Sequence, residues 1–254
     1  EGGQLGACSV SEDGKFELAL FPEDEPPINP SPWYAFRVSG QPGDTVNIRM
    51  TAELAYARYW PKVSRDGENW VPLDEMNVRF GDENEWMDIE LTLDQASLWL
   101  AGQELLTADY YNAWLLELDS HAEVTTRLLG QSVEGRPIFL AETPDRPELI
   151  LMMGRQHPPE VTGAIAMRAF IGSILDDTEL AREFRKRFKL AIIPLMNPDG
   201  VAAGHWRHNV NGVDLNRDWG PFTQPESSSV INWLEAQEAG GRELKLMLDF
   251  HSTL

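Results

Sequence analysis

One cysteine in 254 residues excludes an internal disulfide framework. Cys8 is expected as a half-buried strand residue, and Leu5-Gly6-Ala7-Cys8 mimics a lipoprotein cleavage box without the hydrophobic segment such a box needs. Long apolar runs are also missing. None approaches the roughly 18 residues of a spanning helix, and Glu1-Gly2-Gly3-Gln4 has neither the basic flank nor the apolar core of a signal peptide. A soluble, cytoplasmic protein is the expectation. Basic residues are scarce, 21 against 41 acidic ones, and the formal charge of -20 repels phosphate backbones and anionic lipid surfaces. No nucleic acid and no membrane partner is expected.

What is present divides the chain in two. Residues 1–104 show short β-type runs (15–20, 33–38, 44–50, 62–64, 86–93 and 97–100) broken by Pro26-Pro27, Asn29-Pro30, Gln41-Pro42-Gly43-Asp44 and Asp66-Gly67. This half reads as an antiparallel β-sandwich. Its many aromatic residues, among them Trp33, Trp60, Trp86 and Trp99, suit either core packing or stacking on sugar rings. From residue 105 a helix capped by Thr107 or Asp109 leads into continuous apolar strands (124–129, 138–141, 149–153, 190–195, 244–250) alternating with helices near 161–175, 179–187 and 227–239. That alternation predicts an α/β domain, a sheet flanked by helices on both faces.

Two stretches carry candidate chemistry. Gly154-Arg155-Gln156-His157-Pro158-Pro159-Glu160 follows the apolar strand ending at Met153, and ligands of open α/β sheets gather at such carboxyl ends. His157 and Glu160, three apart at a helix entrance, can bring an imidazole and a carboxylate to one metal ion, and the prolines between them stiffen the turn. Alone, this spacing equally fits a surface turn with Glu160 opening the helix. The second stretch runs from Asn197-Pro198-Asp199-Gly200 through Arg207 to Asp214-Leu215-Asn216-Arg217-Asp218-Trp219, a long turn-rich loop after another strand. Arg207 and Arg217 can each offer a planar fork to a carboxylate or an oxyanion, and Asn216 adds a neutral amide. Arg155, Arg207 and Arg217 are the cations able to focus positive potential in an acidic chain.

His157-Pro158-Pro159-Glu160, Asn197-Pro198-Asp199-Gly200, Arg207, Gly212-Val213-Asp214-Leu215-Asn216-Arg217 and Asp249-Phe250-His251-Ser252, in this order, resemble the zinc carboxypeptidase family that includes carboxypeptidase A. Gly130-Gln131-Ser132-Val133-Glu134-Gly135-Arg136-Pro137-Ile138 resembles the segment ahead of that family's first catalytic strand. The preceding β-sandwich, with Asn29-Pro30-Ser31-Pro32-Trp33-Tyr34, narrows the resemblance to the cytosolic carboxypeptidase-like branch, especially its bacterial members. The resemblance implies one zinc ion held by His157, Glu160 and His251, with Asp214 hydrogen-bonded to His157. It implies that Arg207 stabilises the oxyanion while Asn216 and Arg217 grip the free carboxylate of a peptide or protein C-terminus. His205 and His208 then shape the loop, and Asp249 is either a carboxylate partner of the metal site or the end of a buried strand.

The chain departs from the digestive members, which carry an arginine between the first histidine and the glutamate where Pro158 and Pro159 stand. The family's general-base glutamate follows its third zinc ligand at some distance, so the 254 residues are expected to be a C-terminally incomplete version of a longer enzyme, with poor hydrolysis on their own. The apolar strand 244–248 is expected to lie inside a sheet, covered on both sides. Alternatives are a zinc amidase acting on cell-wall peptides and a catalytically inactive module whose aromatic sandwich binds sugar or a protein.

Overall fold

The computed structural model describes residues 1–52 and 55–252. Thr253 and Leu254, the end of the expected second domain, lie outside the described residues. The chain forms two compact units, one of Glu1–Leu105 with Ala203–Trp206, the other of Leu106–Ala202 with Arg207–Leu254.

The first unit holds β1 (Ala7–Val10), β2 (Phe16–Leu20), β3 (Ala35–Ser39), β4 (Thr45–Ala52), β5 (Lys62–Ser64), β6 (Trp70–Pro72), β7 (Val78–Phe80), β8 (Trp86–Thr92) and β9 (Ser97–Ala101). They make two sheets, β1-β2-β4-β8-β7 and β3-β9-β5-β6. Alternation fixes which face is buried. Met87, Ile89 and Leu91 of β8 point inward and share a core with Leu98 and Leu100 of β9, which belong to the other sheet. The sandwich is not wholly antiparallel, because β2 and β4 pair in parallel. Between them the chain crosses to the other sheet as β3, and such a crossover is what a parallel pair requires. The short strands β6 and β7 escape a reading of pattern, and Pro72 is tolerated because β6 is an edge. Cys8 is exposed rather than half-buried, since all four residues of the edge strand β1 face solvent. The aromatic residues are largely engaged: Trp33 is buried, Arg49 lies 4.2 Å over Trp86, Arg37 lies 5.6 Å over Trp99, and Trp60 packs on Phe80.

The second unit runs α1 (Ala108–Asp119), β10 (Thr125–Gln131), β11 (Pro137–Glu142), β12 (Glu148–Gly154), α2 (Val161–Leu175), α3 (Glu179–Arg187), β13 (Phe188–Ile193), α4 (Pro198–Ala203), α5 (Pro225–Ala239) and β14 (Glu243–Phe250). Its mixed sheet has the order β10-β11-β13-β12-β14, with β12 parallel to both neighbours. Helices cover both faces. Ile150, Met152 and Ile192 pack with Trp114 of α1 and Met167 of α2 on one side, whereas Leu149, Leu151 and Ile193 pack with Val230 and Trp233 of α5 on the other. Double coverage is why β12 reads as an unbroken apolar run, and Leu151→Ala would cost about 2–5 kcal/mol. Among the helices, α3 has the most complete end signals: Thr178 accepts from the Ala181 amide, Glu179 sits in the first turn, and Arg185, Lys186 and Arg187 close the last.

The strand β14 lies at the sheet edge, not inside it, because among the described residues it pairs with β12 alone. Leu246 and Met247 are accordingly 44% and 46% exposed. Among the described residues no helix is long and apolar enough to cross a membrane.

Candidate metal centre

The parallel strands β12 and β14 end side by side, with Gly154 opposite Phe250, so the turn after each delivers its histidine to the same place. His157 lies in the turn leaving β12, Glu160 stands at the N-cap of α2, and His251 follows β14 directly. Close packing depends on glycine. A Cβ on Gly163 would meet the His251 carbonyl oxygen at 2.6 Å, so α2 approaches this backbone only because position 163 has no side chain. The Gly163 amide donates to Ser252 Oγ at 2.7 Å and pins the same segment.

Three donor atoms converge here. His157 Nδ1 is 2.8 Å from one Glu160 oxygen and His251 Nδ1 is 2.6 Å from the other, with the imidazole centroids 4.9 Å apart. One ligand atom from each residue falls within 4.8 Å of the others. The far nitrogen of each ring is held as well. His157 Nε2 meets Asp214 Oδ1 at 3.0 Å, and His251 Nε2 meets Asp249 Oδ2 at 2.6 Å. Two imidazole nitrogens and a carboxylate oxygen, with both rings anchored by carboxylates, fit a zinc ion's donor preference.

Charge pairing outweighs burial at these groups. Burial raises the Glu160 carboxyl, but hydrogen bonds from His157 and His251 bring it down to about 2. His251 is pushed up to about 10, first by Asp249 and then by Glu160. Burial lowers His157, yet Asp214 and Glu160 leave it above the ordinary imidazole value. Asp214, opposed by burial, is held below the usual carboxylate range by His157 and Arg207.

The loop after α4 supplies the remaining predicted residues. Asp214 caps the helical turn at residues 215–217 by accepting from the Asn216 amide at 2.9 Å, while its other oxygen takes Arg207 Nε and Nη2, both at 2.7 Å. One carboxylate thus serves as turn cap, histidine partner and arginine anchor. Arg217 is exposed, donates to the Asn216 carbonyl at 3.2 Å and, among the described residues, forms no ion pair. The Asn216 side-chain amide makes no hydrogen bond among the described residues. Arg155 does not join these cations. It is 3% exposed, adopts a left-handed φ of 56°, and donates to Tyr111 Oη at 2.9 Å and to the Pro158 carbonyl at 2.6 Å, clamping the turn that carries His157 and Glu160. Neither His205 nor His208 is among the three converging donors.

The pattern of the zinc carboxypeptidase family matches residues 111–253. The chain belongs to the zinc carboxypeptidase family. Its relatives include cytosolic carboxypeptidase 6 of Caenorhabditis elegans, 35% identical over 133 residues that are 48% of this chain and 29% of that one. An uncharacterized protein of Zymomonas mobilis is 25% identical over 226 residues, 86% of this chain and 58% of its own length. This chain therefore spans little more than half of that relative. The fold recurs in the metallo-carboxypeptidases of Burkholderia cenocepacia (TM-score 0.82, 22% identity) and Pseudomonas aeruginosa (TM-score 0.81, 24% identity), matching all of this chain and 69% and 68% of theirs.

Within this zinc carboxypeptidase fold, the short motifs that pattern alone could not explain prove to be mutual supports. Asn197 is fully buried, accepts from the Gly200 amide and donates to the carbonyls of Gln156 and His208. A Cβ on Gly200 would strike Pro158 at 2.8 Å, which explains the glycine. Buried Asp199 accepts from Ser132 Oγ, the Glu134 amide and Arg136, so the segment resembling the family's lead-in is tied to the Asn-Pro-Asp-Gly turn. The role of Asp249 on His251 was ambiguous in sequence, since a strand-end aspartate has no pattern of its own.

Proposed function

We propose that the chain carries the zinc site and carboxylate grip of a metallocarboxypeptidase that releases the last residue of a peptide or protein. One zinc ion would be held by His157, Glu160 and His251. The observation supporting this most is the convergence of three donor atoms within 4.8 Å, with the far nitrogen of each imidazole on its own carboxylate. A zinc ion there supplies Lewis acidity toward the scissile carbonyl and a bound water of lowered pKa.

Asp214 fixes the tautomer of His157 and at the same time aims Arg207, whose guanidinium is assigned the charge that develops on the carbonyl oxygen. Arg217, exposed and without a carboxylate partner among the described residues, and Asn216, whose amide is unspent, are assigned the substrate's terminal carboxylate. A bidentate grip on that group is what restricts hydrolysis to the chain end. Glu160 places one oxygen against each histidine and is assigned to the metal. The two units are read as a β-sandwich domain over residues 1–104 and a catalytic domain over 105–254. A cytoplasmic setting accords with the cytosolic carboxypeptidases among the relatives.

The test uses the purified chain. Metal analysis should give one zinc per chain, lost in His157→Ala and in His251→Ala. A peptide with a free C-terminus should bind the zinc-loaded chain more tightly than its amidated twin, and Arg217→Ala should remove the difference. Zinc content near zero in the unaltered chain, or equal binding of the two peptides, would sink the proposal.

A further inference from the structure

Gln156 sits between the two histidine arms and belongs to neither. It is fully buried, and both ends of its amide are used: Oε1 accepts from Trp219 Nε1 at 2.9 Å, and Nε2 donates to Asp249 Oδ2. An indole N–H only donates, so Trp219 forces the oxygen of Gln156 toward itself and leaves the NH2 facing Asp249. The turned amide would set its oxygen against the carboxylate. Asp249 Oδ2 also receives His251 Nε2, while Asp249 Oδ1 is buried with no hydrogen-bond partner. All hydrogen bonding to this carboxylate therefore passes through one oxygen shared by Gln156 and His251, and nothing else in the described structure fixes its rotation.

We infer that Gln156, oriented by Trp219, is a positioning residue for His251: it holds Asp249 so that Nε2 keeps its proton and donates it to that carboxylate, leaving the Nδ1 lone pair for the metal. Donation runs from Trp219 through Gln156 to Asp249 Oδ2, where it meets the proton of His251 Nε2. Trp219 lies two residues beyond Arg217, so the loop assigned to the substrate carboxylate is tied to a metal ligand through a single amide. This inference rests on the zinc reading given above.

The test compares Gln156→Met, which keeps the volume but neither polar end, with Trp219→Phe, which keeps a ring but not the donor. Zinc affinity is measured by competition with a chelator, the imidazole tautomer by long-range proton–nitrogen NMR of the zinc-loaded chain, and packing separately by the melting temperature of the zinc-free chain. Gln156→Met is expected to weaken zinc binding about 10–100-fold, as loss of such outer partners typically does, and Trp219→Phe several-fold. The His251 Nε2–H resonance should shift or broaden in both. Unchanged zinc affinity and unchanged His251 resonances in Gln156→Met overturn the inference, whatever the melting temperature does. Should Gln156→Met not fold, the same criterion applied to Trp219→Phe decides. An unaltered chain that binds no zinc removes the parent reading and this inference with it, whereas zinc bound equally by all three chains removes this inference alone.

Discussion

The two histidines present the same nitrogen to the same glutamate, yet their supports differ in kind. His157 leans on Asp214, which comes from a distant loop and is shared with Arg207 and the turn amide of Asn216. His251 leans on Asp249, two residues away on its own strand, which is shared with Gln156 alone. The first arm therefore touches the groups assigned to the substrate directly, while the second extends the sheet and reaches that loop only through Gln156 and Trp219. Damage to the first should spread to substrate recognition. Damage to the second should fall first on the metal.

The largest effect should come from the residue both arms share. Glu160→Ala removes the carboxylate that faces both Nδ1 atoms and is expected to reduce zinc content to near zero, which metal analysis would show. Next come the two carboxylates. Asp214→Asn and Asp249→Asn should each weaken zinc about 10–100-fold in a chelator competition. Only Asp214→Asn should also impair binding of a peptide with a free C-terminus, because it releases Arg207 as well. Equal effects of the two on peptide binding would erase the distinction between the arms. Third, Gly163→Ala forces a Cβ to 2.6 Å from the His251 carbonyl and should destabilise the fold by about 1–3 kcal/mol in urea unfolding. It should weaken zinc while leaving the Asp214 loop intact.

The smallest effect concerns the footing of the first arm. Glu226, fully buried at the start of α5, has its carboxyl raised by burial and by the charge of Asp199, against hydrogen bonds from its own amide, the Val133 amide and Asn209. Because the folded value lies above the unfolded one, its contribution is fully present below the ordinary carboxyl pKa and is lost as pH rises through the raised value. Glu226→Gln should therefore change the melting temperature little in acid and raise it increasingly toward neutral and alkaline pH. A stabilisation that grows toward acid instead would mean that the carboxylate is paired in the folded state.

Much of this was legible in the sequence because periodicity and turn chemistry are local. The apolar runs at 149–153 and 190–195, the helix 161–175 and the capped helix 179–187 all fall where pattern placed them. The family resemblance pointed to His157, Glu160 and His251, whose donor atoms the fold brings within 4.8 Å of one another. The three-residue strands β6 and β7 were not visible, since so few positions cannot establish a period, although the equally short β5 was read at 62–64. Nor was the parallel pairing of β2 and β4, which depends on a crossover between sheets. The second metal-supporting carboxylate was legible only as a possibility, and the positions of the arginines in space not at all. Arg155, grouped in sequence with the cations able to focus positive potential, is a buried clamp.

By itself the sequence determined the family, through motifs in a fixed order, and the change from β-type runs to alternating strands and helices, because both are written in residue types along the chain; the ligand set it offered was what the family resemblance implies. Tertiary structure alone decided which carboxylate holds which imidazole, which arginine is paired and which is exposed, and that residues 203–206 join the first unit. The physical reason is one of range. A side chain's partner is set by where strands end relative to one another and by how closely glycine lets backbones approach, and neither is encoded within a few residues of the group concerned.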